Sequence, residues 1–468
     1  MTVLFTDTRI HFVGIGGIGM SGIAEILLRL GFPVQGSDLK MSAQTERLAT
    51  LGAQIFVGHR AENVKGADVV VYTSAANNDN PELAQARALK IPTIQRAEML
   101  TELMRLKFGV AVAGSHGKTT TTSMIGQMIH DAGLDPTVIV GGRLELFDST
   151  ARHGEGKILV AEADESDGSF LHLNPAVAVV TNIDREHMNH YGTMDVLREA
   201  FLSFLNKVPF YGCAVACIDD REVARLIPQA RCRVRTYGFS PEAELRAIDL
   251  EPSKMGFQFE VLYGEDSLGL FEMPMAGRHN VQNCLAAISV ALELNVPIEA
   301  ARRSLASFHG VDRRLQTLYR DENVWLLDDY GHHPTEIRAT LAAIRPHCKG
   351  RLVTLFQPHR FSRTKDLWND FTRCFDGVDA LFLMDIYGAH EPPIPGVESA
   401  KLARDIELTI KRPVIYVGKM PREEIVRQIT AYLRPGDTLL TLGAGVTSEL
   451  AGLLRQHFRP AASVPIYP

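Results

Sequence analysis

No apolar run in the chain approaches the ~18 residues that a membrane-spanning helix needs, and the opening MTVLFTDTRIHF has no basic segment followed by an apolar core. A cytoplasmic protein with no membrane partner is expected. Positive charge is scarce. Lys and Arg total 49 against 55 Asp and Glu, the net charge is −6, and there is no basic tail. Nucleic acid is therefore not an expected partner. An anionic small ligand would have to be held by local loops and a few cations. Six cysteines, at 213, 217, 232, 284, 348 and 374, are scattered through the chain. Cys213 and Cys217 have no second pair nearby, so buried free thiols are expected rather than zinc or disulfides. Low-complexity segments and short-period repeats are also missing.

What is present is a globular balance, 46% hydrophobic and 22% charged, over 468 residues, too many for one core. Short apolar strands alternate with helical patterns, which predicts parallel sheets. Strands are expected at Ile10–Val13, Val34, Ile55–Val57 and Val69–Tyr72, with a helix from Ile18 to Leu30. A helix over Ala97–Leu106 leads to a first boundary near residue 106. The rhythm continues through Ile158–Ala161, Ala176–Thr181 and Ala214–Ile218. It breaks over 240–275, where the alternation Phe257-Gln-Phe-Glu-Val-Leu-Tyr predicts an antiparallel excursion. Helices near 280–293 and 299–307 close this region. A third series starts near 311, with strands at Val324–Leu327, Leu352–Phe356, Ala380–Met384, Val414–Val417 and Thr438–Leu442. The expectation is an α/β protein of three domains, 1–106, 107–310 and 311–468, and so a multi-substrate enzyme.

The most informative stretch follows the apolar run that ends at Ala113. It reads Gly114-Ser115-His116-Gly117-Lys118-Thr119-Thr120 and opens a helical pattern carried by Met124, Ile125, Met128 and Ile129. Glycines let the backbone curl so that its N–H groups face phosphate oxygens. Lys118 can reach terminal phosphates, and the Thr119 hydroxyl can ligate Mg²⁺. The helix N-terminus favours anions. Val112 stands where the full Walker pattern has Gly. The plain alternative is a strand–turn–helix that happens to hold a lysine.

Other motifs also sit at strand ends. Gly14-Ile-Gly16-Gly17-Ile-Gly19 follows the first strand, and Gly36-Ser37-Asp38 the next. This pattern fits a pyrophosphate with a ribose near Asp38, which NAD or a UDP-sugar would both supply. Glu162-Ala-Asp164-Glu165-Ser-Asp167 places four acids in six residues, either a Mg²⁺ site with Glu162 as preferred ligand or a solvated turn. His187, in Thr181-Asn-Ile-Asp-Arg-Glu-His187, is a second metal candidate or a structural histidine. Arg278-His-Asn280-x-x-Asn283 starts a helix, so its Asn residues suit a base edge or a cap. Asp328-Asp329-Tyr330-Gly-His332-His333-Pro334 and Gln357-Pro-His359-Arg360-Phe-Ser-Arg363 each follow a strand. Arg360 and Arg363, one helical turn apart, suit a carboxylate or phosphate, or a surface ion pair.

Together these segments resemble the Mur ligase family. The resemblance covers nearly the whole chain and rests on HFVGIGGIGMSGIAEIL, GSHGKTTTTSM, EADESDGSFLHLNP, TNIDREHMNHYG, DDYGHHPTEI and QPHRFSRT. It implies an N-terminal Rossmann-like domain for a UDP-sugar, a central P-loop ATPase and a C-terminal Rossmann-like domain. It implies an ATP-dependent ligase that joins L-alanine to the lactyl carboxylate of UDP-N-acetylmuramate through an acyl phosphate, with Mg²⁺, in peptidoglycan precursor synthesis. A monomer or homodimer is expected. By the same resemblance, Gly114, Ser115, His116, Gly117, Lys118, Thr119, Thr120, Arg278, Asn280, Asn283, Arg313 and Asp329 serve ATP. Thr119, Glu162 and His187 serve the metal; Lys118, Glu162, His187 and His332 are the catalytic set. Gly16, Gly17, Gly19, Ser37, Asp38, His59, Thr73 and Ser74 serve the UDP-sugar, and Tyr330, His332, Arg360 and Arg363 the amino-acid acceptor. Some members carry a carbamylated Lys after the H-x-x-x-Y segment. Val196–Phe201 has none, which fits an alanine-adding member. Within the family the alternative is a murein peptide ligase acting on the same nucleotide sugar. Outside it, the alternatives are an NAD-dependent dehydrogenase and an ATP-driven switch protein.

Overall fold

The computed structural model describes residues 7–73, 76, 79–144, 149–389 and 391–459. They form three sheets in two compact units. One unit closes at Met275 and resumes over Asn280–Val311; the other has Ala276–His279 and continues from Asp312. Among the described residues no helix is long and apolar enough to cross a membrane.

The first unit holds two sheets. The N-terminal sheet has β1 (Ile10–Val13), β2 (Val34–Asp38), β3 (Gln54–Val57), β4 (Val69–Tyr72) and β5 (Thr93–Gln95), in the order β3-β2-β1-β4-β5 and all parallel. Strand order reverses between β1 and β4, and a sheet of this kind binds ligands outside the carboxyl ends at that point. The glycine loop leaves β1 there, Ser37 and Asp38 end β2, and Thr73 follows β4.

The central sheet has ten strands: β6 (Phe108–Ala113), β7 (Thr137–Leu144), β8 (Ser149–Arg152), β9 (Ile158–Glu162), β10 (Val177–Val180), β11 (Cys213–Cys217), β12 (Val234–Gly238), β13 (Leu245–Ser253), β14 (Gly256–Tyr263) and β15 (Asp266–Met273). Its order is β15-β14-β13-β12-β11-β10-β6-β9-β7-β8. The middle strands read as near-continuous apolar runs because both faces are covered. Ala111, Ala113, Ala178 and Ala216 face one layer with Phe170, Phe201 and Phe204. Val110, Val112, Val179 and Val215 face the other, with Met124, Ile125 and Met128 of the helix Lys118–Asp131. The period of two assigns small residues to one face and branched ones to the other. The expected antiparallel excursion is β13–β15, where Phe259 pairs opposite Phe271 with rings stacked 6.3 Å apart.

The second unit holds β16 (Gln316–Arg320), β17 (Val324–Asp329), β18 (Leu352–Phe356), β19 (Ala380–Leu383), β20 (Val414–Tyr416) and β21 (Asp437–Leu442). The order is β16-β17-β21-β18-β19-β20, parallel except for the antiparallel edge strand β16. The α/β class expected from the sequence holds in all three sheets.

Candidate active site

In the central sheet β6 lies between β10 and β9. That order alone brings three strand ends together: Gly114–Lys118 after β6, Thr181–His187 after β10, and Glu162–Glu165 at the end of β9. Gly114 has φ +135 and a Cβ there would lie 2.0 Å from Thr181 Oγ1. Gly117 has φ +82 and caps the helix Lys118–Asp131, with the side-chain oxygen of Asn283 2.6 Å from where its Cβ would be. Neither position accepts a side chain. The loop is pinned from β10: the Ser115 and His116 N–H groups donate to Asn182 at 3.0 and 2.8 Å, and Thr181 Oγ1 donates to the His116 carbonyl at 2.6 Å. His116 Nε2 lies 3.0 Å from Asp184 Oδ2, and the Asp184 N–H donates to Ser115 Oγ at 2.8 Å.

Lys118 Nζ donates to the Gly114 carbonyl at 2.6 Å and to Glu165 Oε1 at 2.9 Å. Burial pushes Glu165 up to about 7 against the pull of Lys118, while burial lowers Lys118 and the Glu165, Glu162 and Asp164 carboxylates more than offset it, so Lys118 stays charged. Thr119 Oγ1 donates to Glu162 Oε2 at 3.0 Å. His187, with φ +57, caps the short helix Met188–Tyr191, and its Nε2 lies 3.8 Å from Glu165 and 3.5 Å from Glu186. Ligand atoms of Glu165, Glu186 and His187 all fall within 4.8 Å of one another. The sequence reading put Glu162 and His187 first. The structure groups His187 with Glu165 and Glu186, and Glu162 with Thr119. Thr120 is buried in the same helix, and Arg278 opens the helix Arg278–Glu293, in which Asn280 and Asn283 are buried and bonded to each other at 3.2 Å.

At the N-terminal sheet, the Gly16 N–H donates to Asp38 Oδ2 at 2.9 Å, and Gly17 caps the helix Ile18–Arg29. A cavity of about 430 Å³ opens at these strand ends, lined among others by Gly14, Asp38, His59, Thr73 and Asn80. Ser37 turns inward, 2.9 Å from His59 Nδ1. Ser74 lies outside the described residues. Arg96, which no motif flagged, lies across Gly19, its Nη1 2.7 Å from where a Cβ would stand, and pairs with Asp164 at 3.5 Å.

In the second unit β17, β21 and β18 are neighbours, and their carboxyl ends gather the remaining residues. Arg313 donates to Asp328 at 3.1 Å and lies 5.0 Å over the Tyr330 ring. Asp329 is buried, accepting from the N–H groups of Leu315 and Gly331, both at 2.8 Å, and burial pushes it up to about 6. Tyr330, His332, His359 and Tyr387 form a row of rings 5.3, 5.5 and 5.6 Å apart. Arg363 Nη1 lies 3.2 Å from His359 Nδ1. Arg360, at φ +70, sends its guanidinium toward Glu391 at 3.8 Å. The row was legible only in part, because His359 and Tyr387 lie on separate strand ends.

Three family models match the chain. They are the Mur ligase family catalytic domain over residues 9–108, the Mur ligase middle domain over 112–291 and the Mur ligase glutamate ligase domain over 313–445. A UDP-N-acetylmuramate–L-alanine ligase of Anaeromyxobacter sp. (strain Fw109-5) is 52% identical over 450 residues, 95% of this chain and 98% of the relative. One from Solibacter usitatus (strain Ellin6076) is 51% identical over 458 residues, 98% of this chain and 97% of the relative. The crystal structure of a UDP-N-acetylmuramate–alanine ligase from Thermotoga maritima matches with a TM-score of 0.81 at 27% identity, covering 96% of this chain and 99% of that one. With three domain models in order and half of the residues shared with full-length relatives, the chain belongs to the Mur ligase family.

Proposed function

We propose that the protein is an ATP-dependent amide-bond-forming ligase that joins L-alanine to the lactyl carboxylate of UDP-N-acetylmuramate, in cytoplasmic peptidoglycan precursor synthesis. The observation that carries this reading is 52% identity to an enzyme of that name over 95% of the chain. The geometry supports it with a phosphate loop whose lysine and threonine each meet a strand-end carboxylate. Neither the tripeptide-adding alternative nor the dehydrogenase is favoured beside relatives of that length and identity.

In this reading ATP phosphorylates the lactyl carboxylate, and the alanine amine displaces phosphate. A carboxylate approaching a triphosphate is repelled, and fixed cations must offset that charge. Lys118 supplies one. The residues present also fit Mg²⁺: an oxygen-rich set with one imidazole, in which buried Glu165 gains from a cation what it lacks in water. Thr119 with Glu162, and Glu165 with Glu186 and His187, would hold it. When bound, it neutralises phosphate charge. Glycine-loop N–H groups and Asp38 take the diphosphate and ribose of the nucleotide sugar. Tyr330, His332 and Arg363 take the amino acid. The deciding assay measures phosphate release from ATP with UDP-N-acetylmuramate and each candidate amine. Release with L-alanine and not with the tripeptide is expected; the opposite preference would overturn the assignment.

Two further outcomes follow from these roles. Glu162→Gln and His187→Ala should each raise the Mg²⁺ concentration for half-maximal rate, since each removes a ligand or its orientation. Wild-type Mg²⁺ titrations in both would leave these residues structural. Arg363→Ala should cost about 1.5–3 kcal/mol of alanine contact, roughly 10- to 150-fold in kcat/KM for alanine. Arg360→Ala should cost less, because Glu391 already takes its charge. An unchanged alanine KM with a raised ATP KM would move both arginines to the nucleotide.

A further inference from the structure

A buried carboxylate behind the N-terminal cavity has no part in the roles above. Glu82, in the first turn of the helix Pro81–Ala88, is 0% exposed. Its Oε1 accepts from Asn63 Nδ2 at 2.6 Å and from the Arg60 N–H at 3.4 Å. Its Oε2 accepts from Ser37 Oγ at 2.5 Å and lies 3.3 Å from His59 Nδ1 and 3.5 Å from His11 Nε2. Gln35 Nε2 holds the far side of the network, 3.3 Å from His11 Nδ1 and 2.8 Å from the Asn63 carbonyl. A fully buried charge is retained only where its partners satisfy it. Here they converge from β1, β2 and the segment after β3, all beneath the cavity.

The network fixes where protons sit. An ionised carboxylate only accepts. Ser37 has one hydroxyl proton, and it goes to Glu82 at 2.5 Å. The Ser37 oxygen, 2.9 Å from His59 Nδ1, then has only a lone pair to offer. Both neighbours of Nδ1 are acceptors, so Nδ1 carries the hydrogen, and in the neutral form of the imidazole this leaves the lone pair on Nε2. His59 lines the cavity. Diphosphate at the β1 loop and ribose at the end of β2 leave the base toward β3, which His59 follows.

We infer that Glu82 is a positioning residue that holds His59 as its Nδ1–H tautomer, so that Nε2 accepts an N–H from the pyrimidine base and selects uracil over cytosine. Uracil presents a hydrogen at N3, whereas cytosine presents a lone pair there and would face the one on Nε2. The inference rests on the nucleotide-sugar reading of this cavity.

The test uses the full chain and two probes, uridine diphosphate and cytidine diphosphate, with binding measured by calorimetry. The wild type should bind the uridine nucleotide at least about tenfold more tightly, the discrimination expected of one hydrogen bond against an unpaired group. In Glu82→Gln that ratio should fall toward one, and Glu82→Asp should restore part of it. Nitrogen-15 shifts of the His59 ring give a readout that simple loss of packing would not produce: the Nδ1–H tautomer in wild type and a mixture in Glu82→Gln. An Nε2–H tautomer in wild type, or a uridine preference unchanged in a folded Glu82→Gln, overturns the proposal while the ligase reading stands. Binding of neither nucleotide by wild type overturns both.

Discussion

Lys118→Ala should lower ligase turnover by on the order of 10³-fold or more, the scale set by losing a fixed charge at a phosphoryl-transfer site. Lys118 lies one residue past Gly117, at the point where the loop becomes a helix, so its ammonium returns over the loop to the Gly114 carbonyl and to Glu165. The substitution strands the Glu165 carboxylate, which is only 1% exposed. The stability loss should nonetheless be modest. Burial already raises Glu165 to about 7, so without Lys118 it takes up a proton instead of remaining a buried unpaired charge. Lys118→Met, which keeps the length of the side chain, should be as inactive as Lys118→Ala. ATP turnover and thermal unfolding of both variants check this. Near-normal activity in either would remove the phosphate-loop assignment.

The strands plainest in the sequence are those whose faces are both covered. Val110–Ala113, Val177–Val180 and Leu352–Phe356 are fully buried runs, and composition alone marks them. The antiparallel segment was legible for the opposite reason. Phe259 and Val261 point inward while Gln258, Glu260 and Leu262 are partly exposed, which is a period of two. Among the strands that escaped, two are half-exposed or very short. β16, Gln316–Arg320, is an edge strand with no buried residue, and β5 has three residues. Their pairing partners, not their own side chains, make them strands. Nor does local pattern disclose that the first two sheets share one core, in which Ile23, Leu27, Met99 and Leu103 pack with Ala111, Ala161 and Phe170.

The site was legible at the level of segments and not of pairs. Each motif was found because it ends or follows an apolar strand, opens a helix, or does both. Which acid of Glu162–Asp167 faces the lysine is decided by the turn that follows, where the Gly168 N–H bonds to the Glu165 carbonyl and the Phe170 N–H to that of Asp164. No periodicity reports that geometry. Glu186 and Asp184 were inside a quoted motif, yet nothing in it distinguished them from solvated acids. Glu82 and Arg96 carry no local signal at all. Their roles arise from β2, β3 and the helix after β5 meeting in space.

Glu165→Ala should be the converse of the lysine variant and the more damaging to stability. It removes the carboxylate from a buried pair and leaves Lys118 as an ammonium, 15% exposed, held by the Gly114 and Ser115 carbonyls at 2.6 and 3.3 Å. Breaking a buried pair in this direction costs about 3–5 kcal/mol. The low end is expected here, because Glu162 and Asp164 also favour the charged lysine. Burial favours the neutral form of Glu165 once Lys118 is gone, whereas Lys118 without Glu165 still has the Glu162 and Asp164 carboxylates favouring its charged form. The unfolding midpoint should therefore fall by several degrees, more than in Lys118→Ala. Turnover should drop by about 10²-fold or more, because the variant misplaces the lysine and removes one of the three groups whose ligand atoms lie within 4.8 Å. Glu165→Gln keeps an acceptor for Lys118 but no charge for a cation. It should recover stability and not activity, and it should need more Mg²⁺ than wild type. Thermal unfolding and Mg²⁺-dependent rates of the two variants separate the lysine-holding role from the metal-holding one. If Glu165→Gln matches wild type in both rate and Mg²⁺ requirement, Glu165 only braces Lys118, and the cation belongs with Glu162 and Thr119.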